Sequence, residues 1–143
     1  MIKNDKDEQL IAVLRDNGRI SISDLARTLG VSRTSAQMRL EKLQRNGVIT
    51  GYGVRLSTQY LQGQVRALVM IKARPTDRSA IEQALTKMPE LTALYSISGI
   101  YDLTSVITAS SVEELDRLID HIGNLEGVSD TMSSVILSTR VDR

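Results

Sequence analysis

Thr34, Gln37, Met38, Glu41 and Arg45 recur at spacings of three and four residues, with Arg33, Arg39 and Lys42 beside them. On a helix that spacing gathers them on one face. The residue types suit duplex DNA: Arg and Lys serve phosphates or guanine, Gln pairs with adenine, and Thr or Met touches a thymine methyl. Ser32 and Ser35 add hydroxyls at the helix start and complete the candidate DNA-binding set. The plainer reading of the same residues is a helical hairpin with a solvated, charged face.

A pair of helices must hold that face in place. Ser21 is placed to cap the first, with Asp24 three residues on near its positive end. Leu25, Ala26 and Leu29 form its apolar stripe. Gly30 is the residue to end it in the left-handed conformation, Val31 fills the corner, and Ser32 caps the second helix. There Ala36, Leu40 and Leu43 share the face that packs inward. A third helix, needed to bury those faces, is predicted from Asn4-Asp5-Lys6-Asp7 to about Asp16, with Leu10, Ile11 and Leu14 turned in and Asn17-Gly18 as its stop. After Asn46-Gly47, residues 48–56 read as a short strand or small wing whose Tyr52 and Arg55 can reach a DNA backbone, or equally are plain solvent-exposed residues.

The 143 residues suffice for one ordinary domain or two small ones. With 41% hydrophobic residues a core is available, and with 3% aromatics and no Phe or Trp it must be aliphatic. That scarcity argues against a stacking platform for single strands. Without cysteine there are no disulfides, no thiolate chemistry and no cysteine-held zinc. No long apolar run or leader stands out, so neither membrane insertion nor secretion is expected, and the expected location is the cytoplasm. The net charge of +1 divides unevenly. Residues 1–57 hold ten Lys/Arg against six Asp/Glu, a balance of +4, and the remainder eight against eleven, −3. A basic module for a polyanion thus precedes a mildly acidic one.

Ser57 to Gln64 lacks an apolar pattern, so residues 1–56 read as one domain, 57–63 as a linker and 64–143 as a second domain. Gln64–Arg74 is predicted as a strand with Val65, Ala67, Val69 and Ile71 on one face and Leu68 and Met70 on the other. A helix follows, with Ile81, Ala84, Leu85 and Met88 in its stripe and Pro89 at its end. Strands are predicted over Leu91–Ser98 and Asp102–Thr108, around the turn Gly99-Ile100-Tyr101. Either Ser110 or Ser111 can cap a second helix carrying Leu115, Leu118, Ile119 and Ile122. Gly127 breaks it, and Val128–Arg140 reads as the last strand. The order is that of a ferredoxin-like βαββαβ sheet with both helices on one face. Its other, partly apolar face then needs a partner, most simply a second copy.

The ordered set Asp16–Ser21, Asp24-Leu25-Ala26, Leu29–Ser32, Leu40–Leu43, Asn46–Tyr52, Ser98–Asp102 and Gly127–Thr131 resembles the leucine-responsive regulatory protein and asparagine-synthetase regulator (Lrp/AsnC) family over nearly the whole chain. The resemblance implies an α+β protein: an N-terminal winged helix-turn-helix and a C-terminal ferredoxin-like (RAM-type) domain. It implies a transcriptional regulator of double-stranded DNA that dimerises, assembles further into octamers, and binds amino acids between dimers. The implied effector residues are Gly99, Ile100, Tyr101 and Asp102 of the turn, with Thr131 and Ser133 of the hydroxyl-bearing stretch at the last strand. Turn amides and hydroxyls suit a carboxylate, and Asp102 suits an ammonium. As regards this chain's own ligand use, the plainer reading of Gly99–Asp102 is a hairpin turn. Two departures from relatives stand out: Ile100 replaces a frequent acidic residue, and Arg33 a frequent proline.

The single histidine, His121, reads as an exposed helix residue, and the carboxylates Glu113, Glu114, Asp116 and Asp120 as salt partners and helix-dipole groups. No metal cluster, phosphate loop or nucleophile motif is present, so no cofactor, metal or catalysis is expected beyond an amino-acid-like effector. Two alternatives use the same architecture. Sirohaem-decarboxylase-like enzymes, by resemblance, use histidines, and this chain has one. An effector-independent DNA-organising regulator would use the second domain for assembly alone.

Overall fold

In the computed structural model, which describes residues 4–142, Asn4 opens helix α1 (Asp5–Asp16) by accepting from the Lys6 N–H at 3.0 Å. Helix α2 (Ile22–Leu29) is capped by Ser21, whose Oγ accepts from the Asp24 N–H. Its C-terminus closes at Gly30 with φ 67°, a conformation that glycine adopts without strain. The Val31 N–H then donates to the Ala26 carbonyl, and Lys6 Nζ donates to the Leu29 carbonyl at 2.7 Å. Ser32 caps helix α3 (Arg33–Arg45) through the Ser35 N–H. Leu10, Leu25, Ala26, Leu29, Ala36 and Leu43 form the buried core of this unit, with Ile11, Leu14, Val31, Leu40 and Ile49 packed around it.

The segment after α3 departs from expectation. Residues 48–56 hold the place of a wing but form no strand. All strand pairing among the described residues lies in the other unit, so this backbone has no ladder to join. The Val48 and Ile49 N–H groups instead both donate to the Leu43 carbonyl, turning the chain sharply.

The chain divides into two compact units between Leu56 and Ser57. Residues 58–63 are turns, closed by bonds such as Leu61 N–H to the Ser57 carbonyl. Strands β1 (Val65–Ala73), β2 (Leu91–Ser96), β3 (Leu103–Ala109) and β4 (Val128–Ile136) form one antiparallel sheet in the order β2-β3-β1-β4. Helices α4 (Arg78–Thr86) and α5 (Val112–Gly123) connect them, and both pack on one face. This is the ferredoxin-like arrangement, with β1 at the centre. The last strand stops at Ile136 rather than Arg140, because β4 has a ladder partner only as far as β1 reaches.

Register sorts the side chains, since directly paired residues share a face. Leu103 and Ile71, Ser105 and Val69, and Ile107 and Ala67 lie under the helices and are buried. Ser105, the one buried polar side chain among the described residues, donates to the Val69 carbonyl at 3.1 Å. The opposite face carries the rows Tyr95-Thr104-Met70-Met132 and Ala93-Val106-Leu68-Ser134. No helix of this unit covers that face, and Leu68, Met132 and Tyr95 are exposed there. At α5, Ser111 takes the cap, and Ser110 donates both its hydroxyl and its N–H to the Glu114 carboxylate. The Ser110 hydroxyl first, and then its N–H, hold the Glu114 carboxyl below its ordinary pKa.

Candidate nucleic-acid interface and effector end

The face predicted on α3 forms and is solvent-accessible. Arg33, Thr34, Gln37, Met38, Glu41, Lys42 and Arg45 are exposed, Met38 by 64%. Gln37 Nε2 donates to Glu41 Oε1 at 2.7 Å, one turn along, so the acidic residue on this face steadies an amide. Arg33, Lys42 and Arg45 form no ion pair among the described residues. A cavity of about 460 Å³ runs along the helix between Ser32, Thr34, Met38, Lys42 and Arg45, and the start of α1 forms its far wall through Asn4 and Asp7.

Arg39 is placed differently from its neighbours. Its Nη1 donates to Asp7 Oδ1 at 3.0 Å, and the two side chains are only 28% and 22% exposed. Its Nε is buried without a hydrogen-bond partner. Arg39 therefore knits α3 to α1, a use of the guanidinium that sequence spacing alone does not separate from phosphate binding. Tyr52 and Arg55, read as able to reach a DNA backbone, are also engaged within the unit. The Tyr52 hydroxyl accepts from Gln44 Nε2 at 2.7 Å, and Arg55 Nη2 donates to the Asp16 carbonyl at 3.1 Å.

In the second unit, Gly99 (φ 122°) and Ile100, 77% exposed, form the tip of the turn between β2 and β3. Tyr101 is half-buried, and its hydroxyl lies 3.5 Å from Asp130 Oδ2, tying the turn to the start of β4. Thr131 sits one residue on, its N–H donating to Asp130 Oδ1 at 2.9 Å. It pairs in register with Ile71 and so lies on the helix-covered face. The turn, Asp130 and Thr131 thus share one end of the sheet. Ser133 pairs with Val69, one row further in, and is exposed on the edge strand.

Asp102, read as the partner for a ligand ammonium, is already engaged within the chain. Its Oδ1 accepts from Arg78 Nη2 at 2.6 Å, and its Oδ2 accepts from the Ala73 N–H at 2.9 Å. Its own N–H donates to the Ile71 carbonyl, and its carbonyl accepts from Ile97. Asp102 is a strut between the turn, the end of β1 and the start of α4. The sequence carried one sign of this. Arg78 is the first residue of α4, where a cation opposes the positive helix end and so calls for a nearby anion. Asp130, at this end, accepts only from the Tyr101 hydroxyl and the Thr131 N–H and forms no ion pair among the described residues; in the sequence it stands out only within Gly127–Thr131. No group of three or more His, Asp or Glu among the described residues is arranged to hold a metal. His121 is exposed on α5.

Comparison with known proteins agrees with both halves of this description. A winged helix-turn-helix DNA-binding family matches residues 3–50, and the Lrp/AsnC ligand binding domain matches residues 66–143. The chain is 26% identical over 136 residues to the HTH-type transcriptional regulator FL11 of Pyrococcus furiosus, covering 95% of this chain and 90% of that one. The solved structure of E. coli AsnC superposes with a TM-score of 0.88 at 24% identity, covering 100% of this chain and 97% of that one. A transcriptional regulator of Neisseria meningitidis, solved as a complex with L-Met, gives 0.88 at 21% identity over 98% and 93%. The domain match spans more than half of the sequence and falls on the sheet unit just described, so the chain belongs to the Lrp/AsnC family of HTH-type transcriptional regulators.

Proposed function

We propose that residues 1–56 read duplex DNA through α3, and that residues 64–143 assemble the protein and take a small amino-acid-like effector. The observation that carries the DNA reading is the exposed face of α3. Three cations free of ion pairs among the described residues, Arg33, Lys42 and Arg45, flank Thr34, Gln37 and Met38. Cations of this kind displace counterions from phosphates, while the short polar and thioether groups between them reach base edges. Ser32 and Ser35 would add hydroxyl contacts to the backbone.

The uncovered sheet face, with Leu68, Met70, Met132 and Tyr95, supports pairing with a second copy, and dimers would assemble further into octamers. Gly99–Tyr101 with Thr131, and Ser133 at the margin, supports an effector site at that end of the sheet. The L-Met bound by the Neisseria regulator makes an amino acid the first class to test. With Asp102 engaged by Arg78, Asp130 is the carboxylate that would meet the ammonium. The protein would work in the cytoplasm, where its DNA lies. No helix among the described residues is long and apolar enough to cross a membrane. No catalysis is assigned to it.

Mapping where the full chain sits on its own genome, and then measuring anisotropy on a recovered duplex, tests the reading. Three cations per α3 and two copies of α3 per dimer give about six phosphate contacts and a log–log salt slope of roughly −5. Salt-independent binding, or no preference for recovered over scrambled duplexes, refutes it.

A further inference from the structure

The second unit holds a cavity far from the effector end. It has a volume of about 230 Å³ and lies where the turns of residues 57–64 meet the chain leaving β4. Arg66 and Lys72 mark the two ends of β1, so the cavity and the Gly99–Asp102 turn are separated by about 20 Å of strand. Its chemistry is distinctive. One guanidinium, that of Arg66, is its only charged lining group, accompanied by Gln62, Gln64 and the hydroxyls of Thr58, Ser138 and Thr139. Leu61, Ile136 and Leu137 supply a small apolar wall.

Arg66 is half-buried and forms no salt bridge among the described residues. Its Nη2 donates to Thr139 Oγ1 at 2.5 Å, which links the guanidinium to the chain leaving β4. That bond takes one of the donors of the guanidinium fork. The others have no protein acceptor among the described residues. The other arginines that are not fully exposed, Arg39 and Arg78, each hold a carboxylate. Arg66 thus keeps guanidinium donors free for an anion that enters the cavity.

We propose that this cavity is a second ligand site and that it takes a small monocarboxylate. The carboxylate accepts from the Arg66 fork, the short apolar body lies against Leu61 and Ile136, and the amides and hydroxyls hold one neutral polar group. The volume is below that of drug-sized pockets, so the ligand is small. No acidic side chain lines the cavity. An ammonium would find only neutral acceptors there, whereas a keto or hydroxyl oxygen finds donors. The site therefore prefers a 2-oxo or 2-hydroxy acid to the amino acid of the same carbon skeleton, the reverse of what a site with a free carboxylate does. This site does not depend on the effector assignment at the Gly99–Asp102 turn.

Calorimetric titration of the full chain tests this with 2-oxoisovalerate and valine, which share a skeleton, and with isopentanol as the uncharged control. The oxo acid is expected to bind in the millimolar range or tighter, and valine, titrated into the Asp130→Asn protein to silence the effector end, about tenfold more weakly. Isopentanol should give no heat of binding. Arg66→Gln should weaken the oxo acid tenfold to a hundredfold, the range for charge-assisted hydrogen bonds. Arg66→Lys keeps the charge but loses the fork, and should fall between. Tyr101→Phe and Asp130→Asn, at the other end of the sheet, should leave the oxo-acid titration unchanged. Four results would each overturn the proposal: no binding of the oxo acid, valine binding as tightly in the Asp130→Asn protein, undiminished binding by Arg66→Gln with native circular dichroism, or loss of oxo-acid binding in the Asp130→Asn protein.

Discussion

Replacing Asp102 by alanine should destabilise the sheet unit with no ligand present. The substitution removes the charged acceptor for Arg78 Nη2, at 2.6 Å, and the acceptor for the Ala73 N–H, at 2.9 Å. A charge-assisted hydrogen bond contributes about 1.5–3 kcal/mol, and a partly buried donor left without an acceptor costs about 1–3 kcal/mol. Arg78 and Asp102 are 37% and 19% exposed, so water screens part of both losses and the lower ends apply. The sum of those lower ends is about 2.5 kcal/mol, which for a unit of this size lowers the melting temperature by roughly 10–20 °C. Arg78 would suffer further, because its Nε is already buried without a partner. Urea unfolding of the full chain at fixed protein concentration, followed by circular dichroism, measures the loss. Asp102→Asn keeps an oxygen for the Ala73 N–H and should cost about half as much. Paired with Arg78→Leu, it should show a coupling of at least about 1 kcal/mol. An Asp102→Ala protein within about 0.5 kcal/mol of the parent would refute the strut and return Asp102 to the ligand.

On α3, Lys42→Ala and Arg45→Ala should each flatten the log–log salt slope of DNA binding by about two per dimer, whereas Gln37→Ala should alter sequence preference at constant slope. Arg39→Ala should instead lower the stability of the helical unit, by about 1–3 kcal/mol in urea unfolding, through loss of its partly buried pair with Asp7. Gly127→Ala should be among the most damaging single changes in the sheet unit. Its φ is 92°, and the added Cβ would lie 2.5 Å from Asp77 Cβ, so calorimetry should show a loss of about 2 kcal/mol or more. Glu114 has its folded pKa lowered by Ser110, so its capping contribution is present above the unfolded pKa and is lost as pH falls through the folded value. Following the Glu114 carboxyl by NMR, Ser110→Ala should raise its pKa toward the ordinary value, with the Ser110 N–H holding back part of the change.

Local signals carried much of this molecule. Ser21, Gly30 and Ser32 act over three to five residues, so these caps and helix ends were legible without any knowledge of tertiary neighbours, and the cap of α5 was narrowed to Ser110 or Ser111. The apolar stripes of α1 to α5 and the alternation of β1 are likewise periodic, and periodicity alone decided which faces turn inward. The candidate DNA face of α3 was readable for the same reason. It is one helix, and its exposed side is the complement of Ala36, Leu40 and Leu43.

What required the tertiary structure was every choice between partners distant in sequence. Arg39 and Arg45 are the same residue type on one helix, yet Arg39 meets Asp7 across 32 positions. Asp102 has the chemistry of an ammonium ligand until α4 places Arg78 against it, 24 residues away. Residues 48–56 had the composition of a strand, but a strand exists only where a ladder receives it, and composition does not state whether one does. The Arg66 cavity depends on chain segments 73 positions apart meeting at one guanidinium. Spacing in a sequence decides which residues can act together on one element. Which charges are already neutralised, and which remain for DNA or a ligand, is decided when the elements pack, because a pairing energy depends on distance and burial rather than on residue type.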